Sequence, residues 1–194
     1  MKSLLIAALL LAPAARPFSG LPIGSSIPKA DVRVKDVSGK VISLQQTKET
    51  NGLLVMFSCN TCPYVIRNQG RTKEVCAYAG RQQIGVILLN SNAGSRDGGN
   101  SFTEMQSYAK AQGYEWYYAL DDNGTVATAF GARRTPECFL FDKSGILVYH
   151  GAIDDSPGDP STVQRHHLRE AIDEMVAGKP VTVKETRSVG CSIQ

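Results

Sequence analysis

The sequence predicts an α/β fold, a central mixed sheet flanked by helices on both faces, and three observations carry that prediction. Residues 53–57 (LLVMF) and 84–89 (IGVILL) are short, unbroken apolar runs, as expected of strands buried on both faces. The segment between them has room for a helix, and a strand–helix–strand connection makes the two strands parallel. Residues 138–141 (CFLF) and 146–150 (ILVYH) flank Asp142-Lys143-Ser144-Gly145, a hairpin signal that adds antiparallel strands at one side.

The chain opens with MKSLLIAALLLAPAARP, in which Lys2 precedes an apolar run from Leu4 to Leu11 and a small-x-small site at Ala12-Pro13-Ala14. That is the layout of a secretory signal peptide over residues 1–14, and the run is too short to span a bilayer. The expected location is therefore periplasmic or secreted, with no membrane span after signal cleavage. Residues 15–27 form an irregular Gly/Pro/Ser-rich arm, residues 28–180 one domain, and residues 181–194 a polar tail carrying Cys191.

Within the domain, Val32, Val34 and Val37 precede Ser38-Gly39, and Val41, Ile42 and Leu44 follow, which predicts an N-terminal β-hairpin extension. A helix is expected from Cys62 to about Ala79, closed by Gly80. Ser101-x-x-Glu104 has capping-box spacing for a helix ending near Gly113. A short strand at 116–120 and a helical turn at 125–130 come next. Val163, Leu168, Ala171, Ile172, Met175 and Val176 make one apolar stripe, predicting a last helix over 162–177 that Ser161 caps and Gly178 and Pro180 stop.

The formal charge is +3, and +2 once Lys2 leaves with the signal, with both signs interspersed. That balance favours neither nucleic acid nor an anionic membrane as partner. Five cysteines stand at 59, 62, 76, 138 and 191, an odd number whose irregular spacing does not describe a disulfide-stapled mini-protein. Chemistry is the better explanation for at least two.

Cys59 and Cys62 form a C-x-x-C at the point where a buried strand opens into a helix. Unpaired N–H groups and the helix dipole at that end favour a thiolate, the nucleophilic form of cysteine. Cys59 is thereby the expected nucleophile. Cys62, one turn along, is the resolving thiol that attacks a mixed disulfide and releases the substrate. Pro63 suits the first turn because it needs no N–H partner there. A structural zinc site would want a second pair at similar spacing, which Cys76, Cys138 and Cys191 do not supply.

Thr135-Pro136 stands immediately before the strand at 138–141. Strand, C-x-x-C-Pro, helix, and later Thr-Pro before a β-hairpin resemble the thioredoxin superfamily. The N-terminal hairpin and the insertion around 90–114 resemble its redoxin branch, the AhpC/TSA and TlpA-like proteins. The resemblance covers most of residues 25–180 and implies a thioredoxin-like fold, dithiol–disulfide exchange with protein thiols and a separate redox partner, and no cofactor. It implies further that Pro136 is cis beside the cysteines and that the Thr135 backbone meets an extended substrate segment. Two departures stand out: Phe57-Ser58 replaces the usual Trp ahead of the first cysteine, and Asn60-Thr61 separate the pair. Potentials in this fold span about −270 to −120 mV, so the direction of electron flow stays open.

Cys138 and Cys76 read as buried structural residues, whereas the polar surroundings of Cys191 offer no packing reason for it. The Gly-Cys-x-Ile ending resembles the tails of some redoxin-domain proteins, so Cys191 is expected either to pair with Cys138 or to meet the active site as an extra thiol; a plain surface thiol is the alternative. Glu137, Asp154 and Asp155 are candidate proton acceptors for the second cysteine. His150, His166 and His167 do not form a metal set, since adjacent helical histidines diverge. Two rival functions are a thiol peroxidase and a copper(I)-handling protein. The first expects a Pro and a Thr or Ser shortly before the reactive cysteine, where residues 52–58 have no Pro and Met56 stands three before Cys59. The second usually separates its cysteines by three residues.

Overall fold

The computed structural model describes residues 20–194; the predicted signal peptide, 1–14, and positions 15–19 of the arm lie outside the described residues. The elements are β1 (Arg33–Asp36), β2 (Val41–Ser43), α1 (Leu44–Thr47), β3 (Gly52–Ser58), α2 (Pro63–Arg81), β4 (Ile84–Asn90), α3 (Phe102–Gln112) and β5 (Tyr117–Leu120). They continue with α4 (Thr125–Phe130), β6 (Arg134–Thr135), β7 (Glu137–Phe141), β8 (Leu147–Gly151), α5 (His167–Val176) and β9 (Cys191–Ser192). Among the described residues, seven strands form one sheet in the order β2-β1-β5-β4-β3-β7-β8, and β6 pairs with β9 apart from it.

The expected mixed sheet is present. β3, β4 and β5 run parallel, β7 lies antiparallel on the other side of β3, and β8 antiparallel on β7. Successive side chains of a strand point to opposite faces, and β3 divides accordingly. Leu54 and Met56 pack with Val75, Cys76 and Ala79 of α2, Met105 of α3 and Leu168 and Ile172 of α5. Leu53, Val55 and Phe57 pack the other way, with Leu44, Val126 and Phe130. Covered on both faces, β3 is buried along its whole length, which is why its sequence is a continuous apolar run rather than an alternating one. Phe57, Phe130 and Phe139 meet edge to face, with ring centroids 5.1–5.6 Å apart. Such contacts add about 0.5–1.5 kcal/mol per pair beyond area burial, and they fix the strand end that leads into Cys59.

Several boundaries differ from the sequence expectation for local reasons. Leu44 does not extend the hairpin; Ser43 and Gln46 form a reciprocal capping box and start α1 there. Gly80 does not close α2: unlike Gly113 it does not take the left-handed conformation of a helix-ending glycine, and the helix runs on to Arg81. Ser101 caps α3 and Gly113 ends it in the left-handed conformation, as expected. The last helix starts five residues later than its apolar stripe suggests. Asp155 accepts the Gln164 amide on its carboxylate and donates its own N–H to the Arg165 carbonyl. These bonds hold the chain out of helix until His167, and Ser161 lies instead in a 3-10 turn that Asp159 caps.

No helix among the described residues is long and apolar enough to cross a membrane. Residues 181–194, read from sequence as a polar tail, lie along the body. Val181 is buried in the core. His150 donates its amide to the Lys184 carbonyl and accepts from the Thr186 amide. The Thr186 hydroxyl accepts from the Ala152 amide at 2.9 Å. Gly151, at φ +149°, makes this approach feasible: a Cβ there would sit 2.1 Å from Thr186 Oγ1.

Candidate active site

The register that aligns Ser58 of β3 with Asn90 of β4 brings the chain past both strand ends to one place. This is the carboxyl end of the parallel strands, the usual location of sites in α/β sheets. From Ser58 the chain turns through Cys59-Asn60-Thr61-Cys62 into α2. Cys62 is the N-cap residue, in extended conformation, and Pro63 occupies the first helical turn. The residue at the helix start is therefore Cys62, the expected resolving thiol, with Cys59 three residues ahead of it. Both are buried, at 3 % and 2 % exposure, in a small cluster with Val65, against which Tyr64 and Cys191 pack.

Thr135, the residue before Pro136, meets both sulfurs. Its hydroxyl lies 3.6 Å from Cys59 Sγ, and its carbonyl oxygen 3.2 Å from Cys62 Sγ. The Thr135-Pro136 bond is cis. Cys62 is also at disulfide distance from Cys191, with Cα atoms 5.9 Å apart. In that bridged form Cys62 has no proton, so its approach to the Thr135 carbonyl is a sulfur contact and becomes an S–H···O bond only in the dithiol. Of the two meetings open to Cys191 from sequence, pairing with Cys138 does not occur, and Cys191 lies instead against Cys62 of the candidate pair.

Cys59, Cys76 and Cys138 are unbridged. Burial pushes the thiols of Cys76 and Cys138 far up, and for Cys138 the neighbouring Cys76, Glu137 and Asp154 push further in the same direction. Both therefore stay protonated and poorly nucleophilic. Cys138 is a core residue of β7 beside Met56 and Gly151.

The three carboxylates considered as proton acceptors are engaged elsewhere. Asp154 pairs with Arg71 at 2.6 Å, and Asp155 accepts from Gln164. Glu137, buried at 6 % exposure, accepts the Arg133 and Arg134 amides on Oε2 at 2.8 and 3.0 Å and faces His150 Nε2 at 2.8 Å with Oε1. Its work is to hold the turn that presents Thr135. His150 stacks on Phe139, and His166 and His167 begin α5. Among the described residues no three His, Cys, Asp or Glu side chains come together as a metal-holding group.

The redoxin family model matches residues 22–166. The chain belongs to the redoxin family. A structure from Geobacillus kaustophilus, titled an uncharacterized conserved protein, is 30% identical, with a TM-score of 0.83 over 93% of this chain and 97% of that one. A protein from Sinorhizobium meliloti 1021 is 32% identical, with a TM-score of 0.80 over 90% and 96%. The thioredoxin domain of a thiol-disulfide oxidoreductase from Bacteroides vulgatus shares the fold at 14% identity, with a TM-score of 0.61 over 80% and 99%. No curated protein matches the sequence. The fold is thus thioredoxin-like, and this redoxin is in general terms a redox enzyme.

What sequence reasoning missed in this redoxin is the polar scaffold under the C-x-x-C turn. Asn100 accepts the Asn60 amide and the Asn90 side-chain amide, both at 2.9 Å. It donates to Thr61 Oγ1 at 3.1 Å and Ser95 Oγ at 2.8 Å. Tyr118 donates to Asn60 Oδ1 at 2.8 Å, and Arg96 ties Asn90 to the loop through its side-chain and main-chain oxygens. Burial pushes the Tyr118 hydroxyl well up, which keeps it a donor. The one sequence signal was an Asn at the end of an apolar strand followed by two more in a Gly-rich loop, at 90, 92 and 100. Asn100→Ala leaves the buried Asn60 amide without a partner and is expected to cost about 2 kcal/mol. Urea denaturation measures that loss, and the thiol-exchange rate should fall with it as the turn loosens.

Proposed function

We propose that this redoxin is a thiol–disulfide oxidoreductase acting on protein thiols, with Cys59 as nucleophile and Cys62 as resolving thiol. The observation that carries the reading is the convergence of both sulfurs on Thr135, a residue with its backbone on a strand edge. Strand edges bind extended peptides through main-chain hydrogen bonds, so one residue here meets the cysteines and the peptide edge together.

The chemistry balances with a disulfide substrate alone. The Cys59 thiolate attacks one substrate sulfur, a mixed disulfide forms, and the other substrate sulfur leaves as a thiolate. Cys62 then attacks Cys59 Sγ, the Cys59–Cys62 bond forms, and the substrate departs reduced with both electrons. A partner dithiol restores the enzyme, and the same steps in reverse oxidise a substrate dithiol. Export is part of the proposal and rests on residues 1–14; N-terminal sequencing of protein recovered from the extracytoplasmic fraction tests it, with a start near residue 15 expected.

The decisive experiment is insulin reduction by the mature chain with dithiothreitol as the electron source, alongside titration against glutathione. Catalysed insulin precipitation and a defined two-electron potential are the expected results. Hydrogen peroxide consumed with insulin left intact overturns the reading in favour of a peroxidase. Copper(I) co-purifying with a chain inactive on insulin overturns it in favour of metal handling.

A further inference from the structure

The tail returns to the active site by the means a substrate would use. Cys191–Ser192 form β9 on the edge of β6, with Thr135 opposite Cys191 and Arg134 opposite Ser192. The Ile193 amide donates to the Arg133 carbonyl at 3.1 Å, and Arg134 Nη1 reaches Ser192 Oγ at 2.9 Å. Ile193 packs against the core face that carries Phe130 and Phe139. Gly190 lies so close that a Cβ would sit 2.0 Å from the Thr135 carbonyl oxygen. Next to this paired strand, Cys191 Sγ meets Cys62 Sγ at bonding distance. A short polar segment has little hydrophobic reason to dock; this one is seated by main-chain pairing at Thr135, one apolar side chain and a cysteine aimed at the redox pair.

We propose that the C-terminal segment is a tethered occupant of the enzyme's own peptide-binding edge, and that Cys191 is a third redox-active thiol exchanging with the Cys59–Cys62 pair. The proposal rests on the exchange reading above and extends it. After a catalytic cycle leaves Cys59–Cys62 oxidised, the Cys191 thiolate attacks Cys62 Sγ. The Cys62–Cys191 bond forms and the Cys59–Cys62 bond breaks. Cys59 leaves with the electron pair and takes up the proton that Cys191 released. No oxidant is consumed, because the step moves one disulfide between three sulfurs.

The product is the arrangement observed: Cys62 bridged to Cys191, Cys59 a free thiol at 3 % exposure, and the edge at Thr135 filled. An incoming peptide must then displace a strand already held at high effective concentration by its own chain. A dithiol that reduces Cys62–Cys191, itself becoming a disulfide, frees the tail and opens the edge. The active site is thus closed while oxidised and opened by its electron donor.

Gly190→Ala tests the device without touching a thiol, since the added methyl collides with backbone rather than with a movable side chain. A chain ending at Val189 is the second variant and leaves the edge bare. Peptide mapping of the fully oxidised proteins is expected to find Cys62–Cys191 with free Cys59 in the natural chain, and Cys59–Cys62 in both variants. Insulin reduction at limiting dithiothreitol should run about tenfold faster in the variants, from loss of the tethered competitor. If the natural chain maps to Cys59–Cys62 and all three proteins reduce insulin equally fast, the tail proposal is overturned while the exchange reading survives. If the bridge maps as expected but none of the three reduces insulin, the exchange reading fails, and the proposal built on it falls too.

Discussion

Cys59→Ser is expected to lower insulin reduction to the uncatalysed background, and the double variant Cys62→Ser, Cys191→Ser to stop one step later with substrate covalently attached. Cys59 is the unbridged thiol of the site, and its sulfur faces the Thr135 hydroxyl at the peptide edge. With serine there, the two remaining thiols of the site, Cys62 and Cys191, stand at disulfide distance and bridge each other, so neither is free to open a substrate disulfide. With Cys59 retained and both of its possible resolving partners removed, the first attack proceeds and the mixed disulfide has no neighbour to break it. Intact-mass spectrometry after mixing with a disulfide-containing protein should show an adduct on the double variant and none on Cys59→Ser. Cys76→Ala and Cys138→Ala are the controls and should retain turnover, because burial keeps both thiols protonated and inside the core. An adduct on Cys59→Ser, or turnover lost in both controls with their folds intact, would contradict the assignment of the nucleophile.

Glu137→Ala is expected to be the most destabilising single change near the site. The carboxylate is buried, accepts two backbone amides from the turn at 133–134 and faces His150, itself buried at 4 % exposure. Alanine leaves two amides and an imidazole nitrogen without partners in a place water does not reach. Breaking a buried pair of this kind costs about 3–5 kcal/mol, or roughly 10 °C in melting temperature for a domain of this size. The turn it holds carries Thr135, so exchange activity should fall with stability even at temperatures where the protein is still folded. Glu137→Gln separates the causes. Its carbonyl can accept both amides, and its NH2 can donate to His150 Nε2 once the ring proton moves to Nδ1, so it should recover much of the stability and activity. Thermal unfolding followed by circular dichroism, with the insulin assay on the same samples, decides the matter. Equal melting temperatures for the natural chain and Glu137→Ala would mean that this carboxylate does not hold the turn.

The parts of the fold that were readable in advance share a physical reason: their information is local. The apolar runs ending at Phe57 and Leu89 have to be buried on both faces wherever they lie. Ser101 and Gly113 bracket α3 through bonds within a few residues. The parts that were misread depend on contacts from elsewhere in the chain. The start of α5 is set by the Asp155 bonds, which override an apolar stripe extending further back. β6 and β9 are two residues each and exist only because they meet one another across more than fifty positions.

The same division runs through the site. Residue type and spacing singled out Cys59 and Cys62 as the expected pair, because a C-x-x-C between strand and helix has few other physical uses, whereas Thr135-Pro136 was expected beside them only through the family resemblance. Sequence could also say that Cys191 lacked a packing reason, yet it left Cys138 and the active site both open as its destination. Only the tertiary structure decided between them, since the path of the tail along His150 and back to Thr135 is set by main-chain bonds, which leave no side-chain pattern to read. The scaffold of Asn60, Asn90 and Asn100 was hidden for a related reason: an asparagine in a loop looks alike whether solvated or bonded, and only the register placing Ser58 beside Asn90 makes it a support for the cysteines. Side-chain chemistry is written residue by residue, whereas the partners of polar groups are chosen by the fold.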